Sequence, residues 1–238
     1  SLPLNITVFS FDFAGCGHSE GDYISLGWYE VNDVECVIKF LRKCNKVSTI
    51  GIWGRYMGAA TAIIYAAQDP TIAGIALDSP FISLKLLIDE IAKNKVSLPE
   101  FIVSKVITML KDTIKEKALF NIDDIEPGNY AKQCYIPAFF CHGKNDNFVN
   151  IHHCKDLYNI YPGEKKAMSI EGDHNGLRPQ KLNENIALFF YHALKCKYIP
   201  ELCNYYNGGK LNFNEWNIDT PKGGDNTANN KKISSNNH

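Results

Sequence analysis

One short run around Tyr56 constrains the fold of this chain more than any other. The apolar residues Thr49–Trp53 predict a buried strand, and a helix rich in small residues begins at Met57. Gly54 and Gly58 bracket Tyr56 at the turn between them, and we expect a Cβ at either glycine to collide with the neighbouring strand or helix. This spacing matches the nucleophile elbow G-x-S-x-G, a sharp strand-to-helix turn that holds a catalytic side chain in a strained conformation. The pattern predicts an elbow with tyrosine where serine is usual.

Strand and helix patterns alternate along most of the chain. The predicted strands are Ile6–Asp12, Thr49–Trp53, Ile72–Leu77, Tyr135–Cys141 and Lys165–Ile170. The predicted helices that alternate with them are Gly27–Cys44, Met57–Gln68, Ile151–Ile160 and Pro179–Lys195. This alternation predicts an α/β fold with a mostly parallel sheet and helices on both of its faces. Ligands and catalytic groups of such sheets collect at the carboxyl ends of the strands.

Residues 81–133 interrupt the alternation, because three helical patterns follow one another there without a strand. They cover Leu84–Lys93, Pro99–Leu110 and Asp112–Phe120, and we interpret the whole segment as a helical lid over the strand ends. From residue 204 the sequence becomes rich in asparagine and poor in apolar residues, which predicts a disordered tail over 204–238. Residues 1–203 are then a single domain.

Composition restricts the class of protein. A chain of 238 residues with 45% hydrophobic residues can bury a full core. Its net charge of -1 gives no reason to expect a nucleic-acid partner. No apolar run is long enough to span a membrane, and the first residues lack the basic segment of a secretory signal. The 8 cysteines form no C-x-x-C pair and are expected to be reduced thiols of a cytoplasmic protein.

Two further polar residues follow predicted strands at the same edge of the sheet. Asp146 lies in a turn after the fourth strand, and His174 lies in a loop after the fifth. Acyl transfer needs a nucleophile, a base that takes its proton and an acid that orients the base. The chain order of elbow, Asp and His is one of the orders in which such triads occur.

Several motifs together resemble one known superfamily. They are Asp12-Phe13-Ala14-Gly15-Cys16-Gly17-His18-Ser19-Glu20-Gly21, Gly54-Arg55-Tyr56-Met57-Gly58-Ala59, Leu77-Asp78-Ser79-Pro80-Phe81, His142-Gly143-Lys144-Asn145-Asp146 and Gly172-Asp173-His174-Asn175. In this order they resemble the α/β-hydrolase fold superfamily, in its lidded serine-hydrolase-like type. That type is related to S33 and prolyl-oligopeptidase-type peptidases, esterases and depalmitoylating thioesterases. The resemblance implies position 56 as nucleophile, Asp146 as acid, His174 as base and the Met57 N–H as an oxyanion donor. It also implies a small-molecule or lipid-type acyl substrate and no cofactor.

Two departures from the family pattern weaken the expectation of activity. A phenol has a pKa near 10, and the ring of Tyr56 would carry its oxygen beyond the place of a serine oxygen. The family also has earlier strands, and a loop that supplies an oxyanion donor, ahead of the segment that matches Ile6. Neither is found in this sequence, so we expect a sheet that lacks its N-terminal strands. The chain is therefore either a serine-type ester or thioester hydrolase impaired at Tyr56 or an inactive binding or scaffold module. A third reading is a change or an error at that codon, since tyrosine and serine codons can differ by one base.

Simpler readings remain for single residues. Asp146 also fits the role of a turn former, and His174 that of an ordinary loop histidine. Asp78 also ends a strand, so it is a substitute for the orienting acid or, more simply, the cap of the first lid helix. The run His152-His153-Cys154 is a weak metal pattern, because adjacent residues on a helix point apart. Gly15 and Gly17 lack the helix that a dinucleotide fingerprint requires.

Overall fold

The sheet has four parallel strands within residues 4–95 and 99–197, the part of the chain that the computed structural model describes. The strands are β1 Gly51–Arg55, β2 Gly74–Asp78, β3 Ala138–Gly143 and β4 Lys165–Ile170, and they pair in this order. The helices are α1 Glu30–Lys43, α2 Met57–Gln68, α3 Leu84–Lys95, α4 Glu100–Ala118, α5 Pro127–Ala131, α6 Ile151–Ile160 and α7 Gln180–Ala193. A short 3₁₀ helix, Ile122–Asp124, precedes α5.

Alternate side chains of the strands enter two different apolar layers, as the period of a strand requires. Ile75 and Leu77 pack with residues of α1, α2 and α6, whereas Phe139 and Met168 pack with residues of α7. Helices therefore cover both faces of the sheet, and the predicted α/β fold class is confirmed. Because all four strands run in one direction, their carboxyl ends lie along one edge, where the loops that carry polar residues follow.

The predicted strand Ile6–Asp12 is wrong, because the structure assigns no strand to these residues. Among the described residues, β1 is an edge of the sheet, and residues 6–12 do not join it in a ladder. Val8 and Phe9 are 68% and 51% exposed. β-branched and aromatic residues indicate a preference for burial, but a strand also needs a hydrogen-bonded neighbour. The apolar pattern could not reveal whether that neighbour is in place.

Other element boundaries differ for local reasons. The two predicted helices Pro99–Leu110 and Asp112–Phe120 are one continuous helix, α4, since neither glycine nor proline separates them. Strands β1 and β2 extend beyond their apolar runs, because Arg55 and Asp78 still pair across the sheet. Helix α2, α6 and strand β4 have the predicted bounds.

Three expectations concern the chain as a whole. The seven cysteines in the described part are free, and three of them are buried. None of the described helices has the length and apolarity to cross a membrane. The predicted tail, 204–238, lies outside the described residues.

Candidate active site

The turn between β1 and α2 holds Tyr56 in a rare backbone conformation. Its φ is 51° and its ψ is -110°, a combination that costs a non-glycine residue about 1–3 kcal/mol. The Tyr56 N–H donates a hydrogen bond of 2.8 Å to the carbonyl of Asp78 at the end of β2. Met57 begins α2, so its N–H has no partner within the helix. The turn thus presents the side chain of Tyr56 and the N–H of Met57 side by side.

The two glycines of the turn have different roles. A Cβ on Gly54 would lie 2.1 Å from the carbonyl oxygen of Gly58, which no real contact permits. A Cβ on Gly58 would meet nothing within 4 Å. The expectation that both glycines are sterically required is therefore wrong for Gly58. Gly54 faces the backbone of α2, whereas the Cβ direction of Gly58 leads into open space.

Asp146 and His174 are joined across the edge of the sheet. Asp146 follows β3, His174 follows β4, and His174 Nδ1 donates to Asp146 Oδ2 at 2.7 Å. The other carboxylate oxygen accepts hydrogen bonds from the N–H groups of Phe148, at 3.0 Å, and Val149, at 2.8 Å. With its proton on Nδ1, the neutral imidazole has a free Nε2 that could accept a proton. This is the arrangement of an orienting carboxylate and a base.

The pKa of Asp146 is held well below its usual range. Burial raises this pKa, but hydrogen bonds from His142, from His174 and from the N–H groups of Val149 and Phe148 lower it by more. His142 is fully buried, donates from Nε2 to the carbonyl of Val149 at 2.8 Å and lies 3.4 Å from Asp146 Oδ2. The sequence shows His142 only as part of the motif that ends at Asp146, and its position four residues before that carboxylate is the one signal of the contact.

The depressed pKa of Asp146 predicts a loss of stability in acid. A group whose folded pKa is lowered stabilises fully above its unfolded pKa, about 4 for Asp, and progressively less as pH falls towards the folded value. We expect Asp146→Asn to lower the free energy of unfolding at pH 7 by about 2 kcal/mol or more. We also expect a smaller difference from wild type near pH 3, measured by urea unfolding. The exposed Asp22→Asn should behave as wild type, and an equal deficit at both pH values would contradict the expectation.

The ring of Tyr56 lies among aromatic side chains. Its centroid is 5.7 Å from that of Phe81, 5.5 Å from that of Phe148 and 5.0 Å from that of His174, which it meets edge to face. Burial, followed by the negative charge of Asp146, raises the pKa of Tyr56 to about 12. Within residues 4–95 and 99–197, no hydrogen bond joins its hydroxyl to His174. A neutral phenol whose hydroxyl is not hydrogen-bonded to the base is a poor nucleophile.

Asp78 has neither of the two roles expected of it. Ser83 caps α3, since the N–H of Leu86 donates to its hydroxyl at 3.2 Å. The carboxylate of Asp78 instead accepts from Nε and Nη2 of Arg178, at 2.8 and 2.9 Å. Arg178 had no motif around it, and nothing in the sequence indicated this partner. Asp173 accepts from the N–H of Gly176 and is loop structure, as expected.

The structure brings Glu90 next to His152 and His153, but the hydrogen bonds of this cluster do not fit a bound metal ion. Glu90 lies with His152 and His153 so that their donor atoms are within 4.8 Å of one another. Cys154 points into the core and takes no part. The N–H of Ile82 lies 3.4 Å from His153 Nδ1 and donates to it, so the ring proton is on Nε2 and donates to Glu90. A metal ion would have to bind Nε2 of His153 without its proton. The cluster therefore links α3 to α6 through hydrogen bonds.

Comparison with known proteins bears on the whole fold. The sequence model of the family described as serine aminopeptidase, S33, matches residues 4–126, more than half of the chain. YqkD of Bacillus subtilis (strain 168), an uncharacterised protein, is 28% identical over 178 residues, which are 73% of this chain and 57% of YqkD. This chain thus spans little more than half the length of that relative.

Solved structures of esterases have a similar fold. The esterase Pf2001 of Pyrococcus furiosus superimposes with a TM-score of 0.60 over 80% of this chain and 72% of that one, at 23% identity. Acetyl xylan esterase 1 from Thermoanaerobacterium sp. JW/SL YS485 gives a TM-score of 0.53 over 68% of this chain and 52% of that one, at 18% identity. At these identities the likeness concerns the fold.

Proposed function

The chain belongs to the S33 serine aminopeptidase family of α/β-hydrolases, and we propose that it is a serine-type ester or thioester hydrolase impaired at its nucleophile, Tyr56. Membership of this family makes the chain a hydrolase by descent. The finer proposal, on chemistry and on the cause of impairment, depends on three residues. Tyr56 stands at the nucleophile position, Asp146 is the orienting acid and His174 is the base.

One observation supports the proposal above all. The 2.7 Å bond between Asp146 and His174 is intact beside a strained turn whose apex has φ 51°. A binding protein without hydrolase chemistry has no use for a strained apex, which costs free energy to maintain, or for an imidazole oriented by a carboxylate beside it. A serine at position 56 would place a hydroxyl at the apex of the turn, near the free Nε2 of His174. The N–H of Met57 would then be one donor to the oxyanion.

The substrate class is proposed from the surroundings of the site. The ring of Tyr56 packs against an apolar cluster that includes Phe81, Leu84 and Leu87 of the segment 81–133. We interpret this segment as a lid whose apolar inner face would contact an acyl chain. Esterases among the solved structures of similar fold support an ester substrate. The free cysteines support a reducing compartment such as the cytoplasm.

The alternative is an inactive binding or scaffold module. The packing of Tyr56 against Phe81 and Phe148 favours it, because this ring fills space next to the base that a substrate carbonyl would need. Both hypotheses expect the wild-type chain to lack His174-dependent turnover. They differ in what a serine at position 56 would do.

Turnover by the wild-type chain tests the impairment. We expect the wild type and His174→Ala to hydrolyse p-nitrophenyl acetate, p-nitrophenyl octanoate and an acyl thioester at rates that agree within about twofold, because a neutral phenol cannot use the base. His192→Ala is the matched control, since it removes an exposed imidazole in the last turn of α7, away from the site. Circular dichroism should show that the three proteins are equally folded. Wild-type turnover that His174→Ala abolishes and His192→Ala preserves would overturn the proposal.

A further inference from the structure

We propose that Arg178, together with Asp78 and Arg55, positions the loop that carries His174. This inference rests on the proposed function, because it assigns these residues to the placement of the base. None of them would touch the reacting atoms. They act by fixing where the backbone of the loop lies relative to the turn at Tyr56.

Asp78 and Arg178 form a buried ion pair at the centre of this group of three residues. The side chain of Asp78 is 2% exposed and that of Arg178 is 7% exposed. Two parallel hydrogen bonds, of 2.8 and 2.9 Å, join the guanidinium to the carboxylate, and Nη2 also donates to the Ser79 hydroxyl at 3.1 Å. Such a two-point contact fixes the direction of the guanidinium as well as its distance.

Both arginines then hold carbonyl groups of the loop. Arg178 Nη1 donates to the carbonyl of Asp173 at 2.9 Å. Arg55 Nη2 donates to the carbonyl of His174 and, at 3.3 Å, to that of Gly176. Arg55 Nε lies 3.6 Å from the same Asp78 carboxylate. The ends of three strands, β1, β2 and β4, are thereby tied together around the buried carboxylate of Asp78.

The loop needs such support because its own sequence does not define one conformation. Gly172 has a φ of +126°, which only glycine adopts readily, and Gly176 lies on the other side of His174. A loop between glycines has many backbone states, so contacts with other parts of the protein must select one. The bond to Asp146 holds the imidazole at Nδ1 alone. The arginines hold the main chain on both sides of that residue.

A purely stabilising role explains the arrangement less well. A buried ion pair often contributes little net stability, because desolvation of the two charges offsets their attraction. The contacts here lie one residue from the Tyr56 apex and at His174 itself. An error of about 1 Å in the position of a catalytic group can lower a rate about 10²-fold. Placement is therefore the effect for which this geometry is suited.

The His174 Nδ1 proton gives a readout that does not depend on hydrolysis. When hydrogen-bonded to Asp146, this proton should give a low-field ¹H NMR signal that exchanges slowly with water, and Asp146→Asn should remove it. In the wild-type chain we expect Arg178→Ala to broaden or abolish this signal and Arg178→Lys to speed its exchange about 10-fold. A lysine keeps the charge but cannot contact both Asp78 and Asp173. Lys144→Ala is the matched control. It breaks the exposed Lys144–Glu171 pair at the base of the same loop and should leave the signal unchanged.

Rates of ester hydrolysis by the Tyr56→Ser protein complete the test. In that protein we expect Arg178→Lys to lower kcat about 10-fold with little change in KM, and we expect Arg55→Met to lower kcat as well. Arg55 is 40% exposed, so its replacement should fold even if Arg178→Ala does not. An unchanged signal in both Arg178→Lys and Arg55→Met would overturn the inference. Failure of the Tyr56→Ser protein to react would contradict only the proposed function, because the NMR result uses the wild-type residue.

Discussion

Replacement of Tyr56 with serine is expected to make the chain react with a fluorophosphonate probe at least about 10³-fold faster than the wild type. Removal of a triad serine lowers the kcat of a serine hydrolase about 10⁶-fold, so restoring the serine could raise the rate by far more than the factor expected here. Absence of one oxyanion donor would reduce the gain by about 10²–10³ and still leave about 10³. The strained turn and the bond between Asp146 and His174 are already in place. Initial rates of covalent labelling, followed by mass spectrometry of the labelled peptide, measure the effect.

Three variants separate the nucleophile from the space that the ring fills. Tyr56→Ala removes the ring without adding a hydroxyl and should remain unlabelled. Tyr56→Phe keeps the ring, which packs 5.7 Å from Phe81, and should also remain unlabelled. Addition of His174→Ala to Tyr56→Ser should remove most of the labelling, because the base is lost. If Tyr56→Ser folds as the wild type does and reacts no faster, the hydrolase proposal is wrong and the binding module is favoured.

The residues of the candidate site were easier to predict from the sequence than the contacts that hold their loops in place. Gly54 lies near the end of β1, and Tyr56, Asp146 and His174 each follow a strand of one parallel sheet, so the order of motifs alone brings them to one edge. Whether the side chains contact one another depends on loop conformations. These are set by long-range partners such as Arg178, which lies 100 residues from Asp78. No local pattern encodes such a pair.

The errors in the fold have a similar origin. Ile6–Asp12 has the composition of a strand, but strand formation depends on a partner elsewhere in the chain. The sequence pattern predicts two helices, Pro99–Leu110 and Asp112–Phe120, although no residue between them ends a helix, and the structure has the single helix α4. Local propensity was sufficient for α2 and α6, whose amino-terminal turns and apolar faces lie within one short window. Strand pairing and burial between distant parts of the chain therefore decide the features that local sequence patterns could not predict.

Alanine at Gly54 is expected to destabilise the protein by about 3 kcal/mol or more, whereas alanine at Gly58 should stabilise it by about 0.5 kcal/mol. Each substitution adds one methyl group to one glycine of the same turn, so effects on the unfolded chain largely cancel. The difference arises in the folded state. The new Cβ of Gly54→Ala would lie 2.1 Å from the Gly58 oxygen and 2.6 Å from the Ala59 nitrogen, both backbone atoms that cannot rotate away. The start of α2 would have to move off β1.

Urea unfolding of the two variants measures this difference in stability. The same two substitutions in the Tyr56→Ser protein test whether the labelling rate changes as well. A displaced α2 carries the Met57 N–H away from the apex, so Gly54→Ala should also lower the labelling rate about 10²-fold or more. Gly58→Ala should leave that rate within about twofold, because its Cβ contacts nothing. Equal stability of the two variants would mean that the turn is not packed as described. Equal labelling with unequal stability would mean that the position of α2 does not govern the oxyanion donor. Only a loss of both in Gly54→Ala supports the view that one glycine, and not the pair, maintains this elbow.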